Sequence, residues 1–261
     1  MKRLVPYSDS VSDEEHLPSA PPYKITLSST NYSKKFPILL MALCDANYCF
    51  TMVDVGSFGR NSDAGVYSSS KFAAVLESGL ARLPPPDPLP EADGQDVPYF
   101  IVADEGLPMK PYMLRPYSQK ETAHNDDAKI FNYRLSRGRR TIENAFGILA
   151  NRWRLFLRPI ESQPGNAESD VKAAISLHNF LRLTDSSGTY CPSGLVDEED
   201  ENGVLQPGDW RRDPQSCFMR PGRMGANSYS QAAKKTRDHM KEYFVRYDPL
   251  PWQRRSSHLT D

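Results

Sequence analysis

No Cys-x-x-Cys pair occurs among the four cysteines, Cys44, Cys49, Cys191 and Cys217. That spacing excludes the common zinc ribbons, and four isolated thiols make no disulfide frame, so they read as reduced thiols of an intracellular protein. No run approaches the ~18 apolar residues of a membrane span, and MKRLVPYSDSVSDEEH at the start has no apolar signal core, so secretion is not expected. Gly56 and Gly59 are not followed by Lys-Ser/Thr, which removes a phosphate-binding P-loop. No internal repeat is visible. Net charge is nearly absent too, at -1 over 261 residues. That total hides strong local segregation of charge.

The segregation is sharpest from Lys129 to Arg158, where eight basic residues face one acid, Glu143. Ile142, Phe146, Leu149 and Trp153 recur at helical spacing, so this stretch predicts an amphipathic helix with one apolar seam. Arg134, Arg137, Arg139, Arg140, Arg152 and Arg154 are candidates for contacts with nucleic-acid phosphates. Glu143 borders the seam and reads either as a structural ion-pair partner or as a metal-binding acid.

Two apolar runs, Phe36–Cys44 and Tyr48–Val55, are joined by Asp45-Ala46-Asn47 and predict an antiparallel hairpin. The first run is almost continuously apolar, which says that both its faces are covered. Ser62 or Asp63 is placed to cap a helix through Val66, Phe72, Val75 and Leu76. Six prolines between Arg82 and Pro98 predict a surface loop. Tyr99–Ala103 follows as a buried strand of the same sheet and ends on Asp104, which reads either as a loop cap or as a ligand-site acid, since ligand sites form at such strand ends in α/β layouts. Tyr112–Tyr117 holds a short further strand. A helix from about Glu168 to Leu183 carries His178 on its inner face, as a hydrogen-bonded core histidine.

Residues 1–30 read as irregular, with Tyr23–Leu27 short, proline-flanked and fit only for a sheet edge. Residues 184–225 read as a disordered acidic linker, since 184–209 hold seven acids and no Lys or Arg. Residues 226–261 read as a C-terminal helix and tail.

The blocks NYSKKFPILLMALCDANYCFTMVDVGSFGRNSDAGVY, YFIVADEGLPMKPYMLRPY, KIFNYRLSRGRRTIENAFGILANRWR and LHNFLR closely resemble the DDE superfamily endonuclease domain, in particular the Harbinger transposase-derived nucleases. The resemblance implies an α/β, RNase H-like domain over 31–183, a mixed sheet flanked by helices. It implies three carboxylates holding two divalent ions, Mg2+ or Mn2+, for hydrolysis of DNA phosphodiester bonds. Asp104 matches the second acid and Glu143 the third, and these two are the implied metal ligands. Asp63 matches a recurrent family acid outside the three.

The pattern breaks at the first acid. Asp13 and His16 keep the family's Asp-x-x-His spacing without its glycine, and the apolar strand that should precede them is missing; Asp9 is a second candidate. The resemblance therefore implies either a metal-dependent nuclease or a catalytically inactive DNA- or protein-binding domain. DNA is the implied partner, with a separate DNA-binding protein beside it, in nucleus or cytoplasm and without a membrane.

Overall fold

The computed structural model describes residues 25–31, 38–58, 67–92, 94–157, 162–212 and 229–257. Its organising element is a five-stranded mixed sheet. In chain order the strands are β1 (Ile25–Asn31), β2 (Ile38–Cys44), β3 (Phe50–Phe58), β6 (Ile101–Ala103) and β7 (Met113–Leu114). Two two-residue strands, β4 (Asp87–Pro88) and β5 (Asp96–Val97), pair with each other inside the proline-rich loop. The order across the large sheet is β3-β2-β1-β6-β7. The first three strands are antiparallel, and β1, β6 and β7 run parallel.

The expected hairpin is present, with Leu40 opposite Val55 and Ala42 opposite Val53. Its turn is held by Asp45, whose Oδ1 accepts from the N–H of Asn47 and of Cys49, both at 2.9 Å. Tyr48 completes the turn at φ 64°, a left-handed conformation that is uncommon for a residue with a Cβ. Of the expected strand at 99–103, Ile101–Ala103 lies in this sheet, as β6.

The reading of Tyr23–Leu27 as edge material is corrected. β1 is the centre of the sheet, paired to β2 on one side (Leu27 opposite Leu43) and to β6 on the other (Ile25 opposite Ile101). Its sequence, ITLSSTN, has few apolar residues and a proline pair just upstream, so composition points outward. Pairing on both sides overrides that weak local signal.

Helices cover both faces. They are α1 (Lys71–Glu77), α2 (Gln119–Thr122), α3 (Asp126–Arg152), α4 (Pro164–Thr184), α5 (Gln231–Arg246) and α6 (Gln253–Ser256). Alternate residues of β2 part to the two sides as a strand requires. Leu40, Ala42 and Cys44 meet Ile142, Phe146 and Leu149 of α3 and Val171 and Ile175 of α4. Met41 and Leu43 meet Tyr67, Phe72 and Leu76 on the other side. A third cluster joins Phe131 and Leu135 of α3 to Met240 and Phe244 of α5. α1 is capped by Ser70, whose hydroxyl accepts from the N–H of Ala73 at 3.1 Å; the expected caps Ser62 and Asp63 lie outside the described residues. α4 begins earlier than expected, because Pro164 occupies its first turn, where a missing N–H costs nothing.

The acidic linker is the second correction. Its described part, up to Arg212, is folded: strands β8 (Glu198–Glu199) and β9 (Leu205–Gln206) form a small hairpin, and Asp209–Arg211 makes a 3-10 turn. Tyr190, Leu195 and Val196 are buried against Ile148 of α3. Composition suggested disorder because seven acids repel when counted alone, yet Glu199 finds Arg137 and Arg140 of α3, and Asp197 finds Arg211.

Candidate functional site

β6 ends at Ala103, and Asp104 stands just past it at the sheet edge. α3 crosses there and brings Arg139 and Glu143, one helical turn apart, to the same place. Arg139 Nη2 lies 3.4 Å from Asp104 Oδ1 and 3.5 Å from Glu143 Oε1. The two carboxylates thus share one guanidinium, and their oxygens lie no further apart than the sum of those two distances. Strand end and helix bring the acids together as the sequence pattern implied, but with a cation of the chain between them.

Glu143 has a second cationic neighbour. Arg211 Nη2, from the 3-10 turn, is 3.5 Å from Glu143 Oε2. The same guanidinium pairs with both oxygens of Asp197, whose side chain is fully buried, with Arg211 Nε donating to Oδ1 at 2.7 Å. Burial pushes the Asp197 carboxyl up, but the Arg211 hydrogen bonds, the Gly208 N–H and the charges of Arg211 and Arg140 outweigh it, and the net shift is downward. Asp197 stays ionised and fixes Arg211 over Glu143.

Five of the six arginines assigned to phosphates are engaged within the chain. Arg137 Nε and Arg140 Nη1 donate to Glu199 Oε2 at 2.8 and 2.9 Å. Arg139 bridges the acid pair. Arg134 pairs with the Asp248 carboxylate, donates to its carbonyl at 2.8 Å and lies 4.5 Å over the Phe244 ring. Arg152 donates to the carbonyls of Tyr190 and Thr189 at 2.7 and 2.9 Å. Arg154, after the end of α3, is exposed. Local charge counting found the cations and missed most of their partners: those of Arg134, Arg137, Arg140 and Arg152 stand 37 to 114 positions further along the chain.

Two residues of the RTIENAFG block that carried no assigned role turn out to organise this face. The Asn144 side chain, 2% exposed, donates to the Asp197 carbonyl at 3.1 Å and accepts from the Asp197 N–H at 3.0 Å, as a partner strand would. Its Oδ1 also accepts from Trp210 Nε1 at 3.0 Å. Gly147 leaves room for that indole: a Cβ there would stand 2.4 Å from Trp210 Cδ2. A buried amide and a glycine on a face flanked by arginines were the available sequence signals for a docked backbone segment.

His178 is the core histidine expected. It is fully buried, with Nε2 2.8 Å from the Tyr48 carbonyl and Nδ1 2.9 Å from the Tyr190 hydroxyl. Since a carbonyl only accepts, Nε2 carries the proton and Nδ1 takes the Tyr190 O–H.

Asp13, Asp9 and Asp63 lie outside the described residues. The central strand beside β6 contributes Ile25 to Asn31, a stretch without an Asp or Glu. Among the described residues no group of three or more His, Cys, Asp or Glu could hold a metal ion. Two ions about 4 Å apart need a carboxylate shared between them and others to hold each one. Two carboxylates already neutralised by Arg139 and Arg211 do not fit that requirement, because a metal ion between them would stand against a guanidinium of like charge.

A family model described as DDE superfamily endonuclease matches residues 23–179. Protein ALP1-like of Arabidopsis thaliana is 32% identical over 123 residues, which cover 47% of this chain. The chain spans 29% of the length of that curated relative. No solved structure matches the chain significantly.

Proposed function

The chain belongs to the DDE superfamily endonucleases, as a nuclease-like domain of transposase descent, and from that premise we propose that it binds DNA without cutting it. We read the sheet order β3-β2-β1-β6-β7 as RNase H-like, with the mixed sheet retained as a scaffold. The observation that carries the reading is the Arg139 guanidinium seated between Asp104 and Glu143, beside a central strand that has no acid. Electrostatically the pair is satisfied from within. Its role in this chain is to fix α3 against the end of β6. DNA follows from the descent of the domain, and a separate DNA-binding protein remains a partner consistent with it.

A second reading, metal-dependent phosphodiester hydrolysis, is favoured by one observation, the convergence of Asp104 and Glu143. The two readings separate in a plasmid-nicking assay with Mg2+ or Mn2+. The purified chain should nick no faster than its Asp104→Asn and Glu143→Gln variants. Arg139→Ala should uncover the acid pair, so that millimolar Mn2+ raises its Tm by a few degrees while leaving the wild type unmoved, by the mass action of a ligand that binds only the folded state. Nicking by the wild type that disappears in Asp104→Asn and in Asp13→Asn would restore three working acids and overturn the non-cleaving reading.

A further inference from the structure

Glu199 is held by four side-chain donors. Its Oε2 receives Arg137 Nε at 2.8 Å and Arg140 Nη1 at 2.9 Å, and its Oε1 receives the Tyr133 hydroxyl at 2.8 Å and Trp252 Nε1 at 3.1 Å. Three of the four donors are on α3 and the fourth enters from the turn before α6. Two cations with two neutral donors around one pair of oxygens is a binding site for an oxyanion, and both guanidinium groups suit phosphate as well as carboxylate. A polar cavity of about 160 Å³ adjoins it, lined by Tyr48, Arg137, Arg140, Thr141 and Asn144 with Asp197 and Glu199.

The group that fills the cradle sits on a weakly anchored element. β8 and β9 pair over two residues each. Val204 and Leu205 of the hairpin are 50% and 41% exposed, so little apolar burial holds it down. Its other anchors are Trp252 packed against Gly203 and the Arg255 guanidinium donating to the Asn202 carbonyl at 2.8 Å. Asp197, one residue before β8, is by contrast fixed from three sides by Arg211, Asn144 and Gly208. That contrast makes Asp197 the point about which the hairpin 198–206 would turn if it opened.

We infer that Tyr133, Arg137, Arg140 and Trp252 form a phosphate-class oxyanion site that the chain closes with its own Glu199, and that a backbone phosphate of nucleic acid takes the Glu199 position when the hairpin swings out. The nucleic-acid part rests on the DNA-binding reading given above; the cradle stands on its own geometry. Glu199 is then an internal competitor that weakens binding at rest, and the six-arginine surface expected from the sequence is recovered here as two arginines under a removable cover.

The test uses the full chain, Glu199→Ala and the closer-shaped Glu199→Gln, with circular dichroism to confirm folding. The first arm is thermal melting in inorganic phosphate against chloride at equal ionic strength. Phosphate should raise the Tm of the Glu199 variants by several degrees more than that of the wild type, and adding Arg137→Ala and Arg140→Ala should erase the difference. The second arm is binding of a short fluorescein-labelled duplex. The variants should bind about tenfold tighter at low salt, with a slope of log K against log salt steeper by about two, one phosphate contact for each arginine freed. Phosphate protection without a gain in duplex binding keeps the cradle, as a site for free phosphate, and removes the DNA reading instead. If neither Glu199 variant gains phosphate protection over the wild type, the cradle is only an internal ion pair and the inference falls, whatever the duplex does.

Discussion

Gly147→Ala should lower the stability of the fold by about 2 kcal/mol, although the same exchange in an open helix raises it by about 1 kcal/mol. Helix propensity favours alanine, so the sign depends on Trp210. A Cβ at 147 would stand 2.4 Å from Cδ2 and 2.6 Å from Cγ of its ring. The indole cannot slide away cheaply, since Nε1 donates to Asn144 at 3.0 Å and the Arg211 guanidinium stacks on it at 4.4 Å. Overpacking of this kind costs about 1–3 kcal/mol, and loss of the Trp210–Asn144 bond adds about 1 kcal/mol. The midpoint of urea unfolding measures the net change. The decisive comparison is the Trp210→Ala background, where the steric conflict is gone. There Gly147→Ala should become stabilising. Destabilisation of equal size in both backgrounds would place the glycine's role elsewhere than under the indole.

Acidification from pH 7 to pH 4 should cost about 3 kcal/mol at His178 alone. Burial pushes its pKa from 6.5 down to about 4; the Tyr48 carbonyl opposes that shift and Arg182 assists it. The fold therefore favours the neutral ring. Below pH 6.5 the unfolded chain takes up a proton that the folded chain refuses, so stability falls as pH drops from 6.5 and levels off below about 4. At 1.36 kcal/mol for each pH unit, the interval gives the order of magnitude stated. His178→Gln should be less stable at pH 7 but should lack this share of the acid loss. Chemical denaturation of both proteins at several pH values isolates the histidine from the carboxylates, which titrate in each alike. An acid loss of the same size in His178→Gln would show that the ring accepts its proton without leaving its place.

The sequence disclosed those parts of the fold whose cause is local. The β2–β3 hairpin was readable because two apolar runs flank a turn built on Asp45, and β6 because five apolar or aromatic residues end abruptly on an acid. The convergence of Asp104 and Glu143 was legible through the family pattern, not through periodicity. What escaped had partners far away in the chain. Ile25–Asn31 is too polar to announce a central strand, and only its ladders to β2 and β6 place it there. Asp197 and Glu199 lie in a stretch whose composition says linker. Their fit to Arg211, Arg137 and Arg140 is a property of three dimensions. The same blindness made the α3 arginines look available, since counting eight cations against one acid omits the acids that fold back onto them.

The docking of Asp197 on Asn144 also bears on the chain as it leaves the ribosome. β1, β2 and β3 are contiguous and can pair as soon as they emerge, but the parallel partner of β1 arrives only at Ile101. α3 follows with Asn144, and that side chain's partner backbone is not made until residue 197. During that interval the nascent domain presents α3 with an amide that has yet to meet its strand and a gap beside Gly147 that has yet to receive Trp210. Non-local closure of this kind slows folding, and exposed half-finished surfaces are where chaperones and misassembly compete. Resistance to protease is therefore expected only after Arg211 and then α5, which completes the third core cluster, have been made, and not on completion of the sheet.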